Sequence, residues 1–285
     1  MKNQLQTLDD GLLTPEVGRW SEKKYSLIHN YAEMFATGMK HKWDCRVYID
    51  LFAGAGKAKI RDSNRIVYAS PLLALNVRDR FDRYIFCEFD PDIMDALSQR
   101  VRKDHGDVDV KFVQGDVNLK VDEVIKSIPK HSGRFKVLSF CVVDPFKLSS
   151  LDFATIKSLS DFYMDFLVLI ACGMDAQRNE KIYLSQNNTV VECFLGDPCW
   201  RDNLPDAKWK RISFSDYLVD CFSQEMAKLD YKSVDPMDTV LIRQPNKAPL
   251  YRLAFYSRSD LGTKFWNQTK KYSDPQRKFD FTWKA

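Results

Sequence analysis

One short stretch constrains this chain more than any other: Tyr48-Ile49-Asp50-Leu51-Phe52-Ala53-Gly54-Ala55-Gly56-Lys57. Arg46, Val47, Tyr48 and Ile49 form a β-branched and aromatic run of the kind that fills a buried parallel strand. Asp50 closes it with a carboxylate, and two glycines one residue apart then turn the chain. Glycine adopts φ > 0 and lets backbone approach a ligand with no Cβ between them. An acid at a strand's carboxyl end followed by G-x-G is how doubly wound sheets hold nucleotides and adenosyl compounds. A glycine pair alone is a weak signal. Its spacing from Asp50 narrows the choice, and the rest of the chain has to supply the other strands and helices.

It does so by alternation. Strands are predicted at 84–88, 108–113, 137–143 and 166–170. Between and around them lie helical patterns. One starts at Trp20-Ser21 with Ser21 as cap and Leu27, Ile28, Tyr31, Met34, Phe35 and Met39 at helical spacing. Another starts at Ser70-Pro71, with Ser70 as cap and proline in the first turn. Asp90-Pro91 caps a third, and further helices are predicted at 121–128, 153–159, 190–195 and 214–229. Strands separated by helices give βαβ units. The fold class is therefore α/β, a Rossmann-like doubly wound and mostly parallel sheet. Two late strand-like runs, 239–243 and 250–257, are joined by a short polar connection with two prolines and read as an antiparallel hairpin at the sheet's end, which makes the last strand antiparallel. The insert at 57–69 delays the helix after the glycine turn; it is either a small hairpin over the ligand or a surface loop. Residues 1–19 read as a polar lead-in, 20–266 as one domain and 267–285 as a basic aromatic tail.

Composition excludes several classes. No run approaches the ~20 apolar residues of a membrane span, and Met1-Lys2-Asn3-Gln4-Leu5 lacks the apolar core of a signal peptide. Seven cysteines, an odd number with no C-x-x-C pair, fit reduced core thiols in a cytoplasmic protein; four scattered histidines give no metal-ligand spacing. The net charge of +4 is mild. Toward the C-terminus, however, Lys264, Lys270, Lys271, Arg277, Lys278 and Lys284 interleave with Phe265, Trp266, Tyr272, Phe279, Phe281 and Trp283. Such a pattern suits either single-stranded nucleic acid or a packed helix with a solvated face.

The chemistry gathers at strand ends. Asp50, Glu88, Asp116 and Asp144 end or follow four successive strands, and in a doubly wound sheet those ends share one edge, where the ligand crevice forms. Four acids in register point to an adenosyl ligand. Glu88 is expected to accept from ribose hydroxyls and Asp116 from the adenine amino group. Phe52, Gly54 and Gly56 of the turn are expected to lie against the ligand. No helix follows the turn directly and Lys57 is its only adjacent cation, so a pyrophosphate is poorly served.

At these residues a family resemblance emerges. Asp50-Leu51-Phe52-Ala53-Gly54-Ala55-Gly56, Glu88-Phe89-Asp90-Pro91 and Gly115-Asp116 look like the first three motifs of class I S-adenosylmethionine-dependent methyltransferases. Further motifs are Trp20-Ser21, Ser70-Pro71, Asp144-Pro145-Phe146, Gly173-Met174-Asp175 with Arg178-Asn179, and Leu250-Tyr251-Arg252-Leu253-Ala254-Phe255-Tyr256. With these added, the chain resembles the bacterial three-Cys-motif partner proteins from about Trp20 to Trp266. The resemblance implies S-adenosylmethionine as cofactor and a partner with a three-cysteine motif similar to radical S-adenosylmethionine enzymes. Asp144, Pro145 and Phe146 stand where amino-group methyltransferases carry Asp/Asn-Pro-Pro-aromatic, which makes them the catalytic candidates. There the carboxylate and a backbone carbonyl orient the target amine while the aromatic stacks on its base. The chain has one proline fewer, and Lys147 where tRNA guanine N-methyltransferases continue with glycine. Asp175 and Arg178 either line the crevice as substrate contacts or begin a helix with an i,i+3 ion pair. Two functions are implied: an N-methyltransferase acting on an amino group of a nucleic acid with its three-Cys-motif partner, or a non-catalytic subunit that stabilises or targets that partner.

Overall fold

A computed structural model describes residues 6–244 and 248–272. The lead-in contributes two short strands, β1 (Gln6–Thr7) and β2 (Glu16–Val17), before helix α1 (Ser21–Met39). Strand β3 (Cys45–Asp50) enters the glycine turn, and the hairpin β4 (Lys57–Ile60) and β5 (Ile66–Tyr68) leads to α2 (Ser70–Leu75). Three βα units follow: β6 (Arg83–Glu88) with α3 (Pro91–Asp104), β7 (Val110–Gln114) with α4 (Val117–Ser127), and β8 (Val137–Val143) with α5 (Phe153–Leu159). Strand β9 (Met164–Ile170) opens a helical segment of α6 (Glu180–Tyr183), α7 (Val190–Leu195), α8 (Leu204–Trp209) and α9 (Phe214–Ala227). The fold closes with β10 (Val240–Arg243), β11 (Pro249–Tyr256) and α10 (Asp260–Tyr272).

The main sheet has seven strands in the order β10-β11-β9-β8-β3-β6-β7. Strands β7, β6, β3, β8 and β9 are parallel, while β11 runs antiparallel to both β9 and β10. Strand order reverses between β3 and β8, which is the topological switch point of a doubly wound sheet. The α/β class, the mostly parallel sheet and the antiparallel last strand are as the sequence predicts. Every residue of β3 and of β9 is buried, as strands covered on both faces require. On one face α1 packs aromatic rings onto the sheet: Tyr31 lies 4.7 Å from both Phe140 and Phe255, and Phe35 lies 5.9 Å from Phe140.

Several expectations need correction. Ser21 and Ser70 are the first helical residues rather than caps; Trp20 and Ala69 hold the cap positions, and neither donates or accepts a side-chain capping bond. Helix α4 begins at Val117, four residues before the predicted start, because Asp116 caps it by accepting from the Asn118 N–H at 2.9 Å. Its first turn, Val117-Asn118-Leu119-Lys120, is too polar to show the helical stripe. The 57–69 insert is a hairpin. It joins the lead-in in a second, four-stranded sheet of order β1-β5-β4-β2, with a small core of Tyr25, Ala58, Ile60, Val67, Ala69 and Leu73. In α10, Trp266 is buried and stacks on Phe255 at 5.3 Å, so this aromatic is core. Arg277, Lys278, Phe279, Phe281, Trp283 and Lys284 lie outside the described residues. No helix among those described is long and apolar enough to cross a membrane.

Candidate functional site

A cavity of about 610 Å³ opens at the carboxyl ends of β3, β6, β7 and β8, beside the switch point. The glycine turn, Glu88, Asp116 and Asp144 all line it. Pro15 and Val17 from the lead-in and Ala58 from the hairpin form another wall.

The turn is held by the neighbouring strand. Ala53 N–H donates to Cys87 O at 2.9 Å, and Gly54 N–H donates to Glu88 Oε2 at 2.8 Å. Gly54 has φ +63°, and a Cβ built on it meets nothing within 4 Å, so backbone here faces open cavity. Gly56 is different. Its φ is +79°, and a Cβ would lie 2.8 Å from Leu97 Cδ1 and 2.9 Å from Leu72 Cγ. It packs α2 and α3 under the turn and does not line the cavity, which corrects its expected place at the ligand. Glu88 Oε1 accepts from Asp90 N–H at 3.1 Å. A carboxylate offers about four lone-pair directions, so both oxygens keep capacity for hydroxyl donors. Asp116 caps α4 with Oδ1, and among the described residues its other oxygen has no partner. Phe52 lines the cavity half-buried.

Asp50 does not reach the cavity. It is fully buried beneath the turn, accepting from Phe52 N–H at 3.3 Å and from the Tyr48 hydroxyl at 3.4 Å. Burial pushes its carboxyl up to about 7; a Ser70 hydrogen bond pulls against that, and the Asp144 charge adds to it. Its expected cofactor contact is therefore corrected to a support beneath the turn.

Asp144 sits at the end of β8, lines the cavity and is ion-paired through Oδ2 with Lys24 of α1. Among the described residues Lys24 is its only side-chain partner, which leaves Oδ1 unclaimed. The Lys24 ammonium lies 5.0 Å from the Tyr25 ring centroid and 6.0 Å from that of Tyr251. Burial works against its charge, but Asp144 in contact holds its pKa above the ordinary lysine value. The Tyr251 hydroxyl is buried with no partner among the described residues. Phe146, 78% exposed, stands at the cavity mouth with Lys147, while Pro145 is buried behind them.

Asp175 and Arg178 do not line this cavity. Asp175 is buried in a π-helical turn, Cys172–Ala176, and accepts from Leu148 N–H at 2.7 Å, Asn179 Nδ2 at 2.8 Å and the Tyr183 hydroxyl at 2.8 Å. It thereby holds the Asp144-Pro145-Phe146 loop from behind. Arg178 is exposed, and no ion pair joins it to Asp175.

Two buried cations were not singled out in the sequence. Arg100 of α3 is 1% exposed and grips the lead-in: it makes a bidentate pair with Asp10 (2.8 Å twice) and donates to Leu13 O at 3.0 Å. It also donates to Ala55 O in the glycine turn at 2.6 Å. Lys57 joins this group through Asp10 Oδ2 at 2.9 Å and Leu8 O at 2.9 Å. Arg100 and Lys24 share a sequence signal: each is a lone charge on the apolar stripe of its helix, Lys24 with Leu27, Ile28 and Tyr31, and Arg100 with Ile93, Leu97 and Val101.

The set favours an adenosyl ligand over a nucleotide. Lys57 is 7% exposed and shares Asp10 with Arg100, and the chain leaves the turn as a strand, so no helix begins directly at the turn to receive a phosphate. Glu88 and Asp116 line the wall with no cation paired to either carboxylate among the described residues, which suits a ligand carrying hydroxyl and amino donors.

No family model and no curated protein sequence matches the chain. Among solved structures it is similar to a Legionella pneumophila protein of the DUF519 family, at 13% identity over 87% of this chain and 91% of that one, with a TM-score of 0.49. It is similar to Trm1 from Pyrococcus horikoshii, solved with S-adenosyl-L-methionine, at 10% identity over 87% and 58% of the two chains, with a TM-score of 0.42. It is also similar to M. jannaschii TYW2, solved with AdoMet, at 11% identity over 84% and 75%, with a TM-score of 0.36. Likenesses this distant say nothing of ligand or substrate, which rest on the chain's own residues.

Proposed function

We propose that this protein binds S-adenosylmethionine and methylates an amino group of a nucleic acid, working with a partner that carries a three-cysteine motif. The observation that carries this reading is that Asp144, with one carboxylate oxygen unclaimed, lines the same cavity as Gly54, Glu88 and Asp116. In this reading Glu88 accepts from the ribose hydroxyls, Asp116 accepts from the adenine amino group, and Gly54 lets the backbone approach the ligand. Bound S-adenosylmethionine supplies an electrophilic methyl group to this cavity. The chain's own task is then orientation. Asp144 Oδ1 accepts from the target amine and aims its lone pair, and Phe146 offers its exposed ring to the base that carries the amine. The amine's surplus proton leaves to solvent through the open mouth. The partner is what the resemblance to the three-Cys-motif partner proteins implies.

Methyl transfer tests the proposal. Tritium from methyl-labelled S-adenosylmethionine is expected to appear in bulk bacterial RNA or DNA, with or without the co-expressed three-cysteine protein. Asp144→Ala is expected to lower incorporation at least ~100-fold, since positioning of this kind is worth several powers of ten. Absence of label from every nucleic acid, with the donor bound, overturns it. If Asp144→Ala leaves a partner-dependent activity unchanged while the two proteins co-purify, the chain is a non-catalytic subunit.

A further inference from the structure

Lys24 gives the acceptor end of the cavity an unusual charge balance. Its stem runs along the core face of α1 with Leu27 and Ile28, and its side chain is 11% exposed. Its ammonium is enclosed by Asp144 and by the rings of Tyr25 and Tyr251. The groups that bear on Asp144 are therefore Lys24 and Tyr25 from α1, Asp50 and Tyr48 from β3, and Tyr251 from β11. Of these only Lys24 is a cation, and it takes one oxygen of the carboxylate while leaving the other.

A lone carboxylate in so closed a place attracts an ammonium ion, because a buried charge is costly until it is paired. Here the protein has already supplied that ammonium. A second one arriving at Oδ1 meets the Lys24 charge at short range, and the one further carboxyl nearby, Asp50, is buried beneath the turn and partly protonated near neutral pH. An uncharged amine meets no such opposition: it needs one acceptor lone pair, and Oδ1 provides it. Resting on the methyltransferase reading above, we propose that Lys24 is a positioning residue that cancels the Asp144 charge, so that the site accepts the uncharged exocyclic amine of a nucleobase and rejects the ammonium of a lysine or polyamine. Lys24 also keeps Asp144 an acceptor. Burial already holds the Asp144 pKa above the ordinary carboxylate value against the pull of Lys24, and without Lys24 it favours the protonated carboxyl further, which turns one oxygen into a donor.

The test compares wild type, Lys24→Met and Lys24→Met/Asp144→Asn from pH 6 to 9, with tritium transfer to bulk bacterial RNA and to poly-L-lysine as probes. Titration with S-adenosylmethionine is run on each protein. Lys24→Met keeps the stem and removes the charge; the double variant restores neutrality with an isosteric acceptor. Wild type is expected to label RNA at least tenfold over poly-L-lysine. Lys24→Met is expected to bind the donor within twofold of wild type, to lose RNA labelling at least tenfold at pH 7 and to recover it as pH rises. The double variant is expected to melt above Lys24→Met and to exceed its labelling at pH 7 with no such pH dependence. Equal labelling of poly-L-lysine by wild type overturns the proposal without any variant, as does a Lys24→Met enzyme with the wild-type rate and pH profile. Wild type that binds the donor but labels neither poly-L-lysine nor any nucleic acid, RNA or DNA, with or without the three-cysteine protein, overturns the methyltransferase reading itself and this proposal with it.

Discussion

Asp50 shows how much a single side chain contributes without touching the ligand. Its carboxyl titrates near 7 in the fold, against 3.8 for the free side chain, chiefly because it is buried. Between those values the native state binds more protons than the unfolded chain, so stability falls as pH rises from about 4 to about 7 and is level above that. One such group contributes a slope of at most about 1.4 kcal/mol per pH unit. Asp165, pushed up to about 6 by burial against hydrogen bonds from Ser257 and Tyr31, adds a slope of the same sign. Asp50→Asn is therefore expected to flatten part of the curve between pH 4 and 7, measured by urea unfolding at each pH; an unchanged slope contradicts this placement of the charge. The two glycines separate in the same way. Gly54→Ala is expected to fold at a cost of about 1–2 kcal/mol for its left-handed backbone and to lose donor affinity. Gly56→Ala drives a methyl into Leu72 and Leu97, and is expected to lower the melting temperature more. Thermal melts and donor titration of both variants give the comparison.

At the scale of elements, the cavity wall formed by Pro15, β2 and the β4–β5 hairpin depends on Arg100. Asp10 is the only carboxylate on that guanidinium among the described residues, and the pair holds the Asp10 carboxyl well below the usual carboxylate range. Asp10→Ala leaves a buried cation unpaired, a change that costs about 3–5 kcal/mol. Detachment of residues 6–17 is the expected consequence, read as faster trypsin cleavage at Arg19 and weaker donor binding; an unaltered digest counts against it. This wall was not legible in the sequence. Strand-end acids and the glycine turn are local patterns, set by the period of a strand and the freedom of glycine, and they stand out in any window. The pairs Arg100–Asp10 and Lys24–Asp144 span 90 and 120 residues, and nothing in either window names the other partner. The hairpin fell between these cases: its strands are 4 and 3 residues long, too short for alternation to decide.

For the whole molecule, the strand order places the functional groups. Because β3 is the central one of the five parallel strands and the chain winds outward from it in both directions, four strand ends with acids at or just after them meet beside the switch point. That much followed from the alternation of strands and helices, and the antiparallel β11 from the short polar connection before it. The loop behind Phe146 did not, since Asp175 supports it from a π-helical turn with no sequence period of its own. The same architecture predicts uneven stability. Strands β3, β8 and β9 are buried throughout or nearly so and should show the slowest amide exchange, with the four-stranded sheet exchanging faster; uniform protection across both sheets contradicts this.

All of these features converge on one claim, that the cavity at the switch point is a methyl-donor site. Isothermal titration of the folded protein with S-adenosylmethionine tests it most directly. The expected result is a saturable one-site heat, weakened at least tenfold by Glu88→Ala. No heat at millimolar donor, with the protein folded, contradicts it.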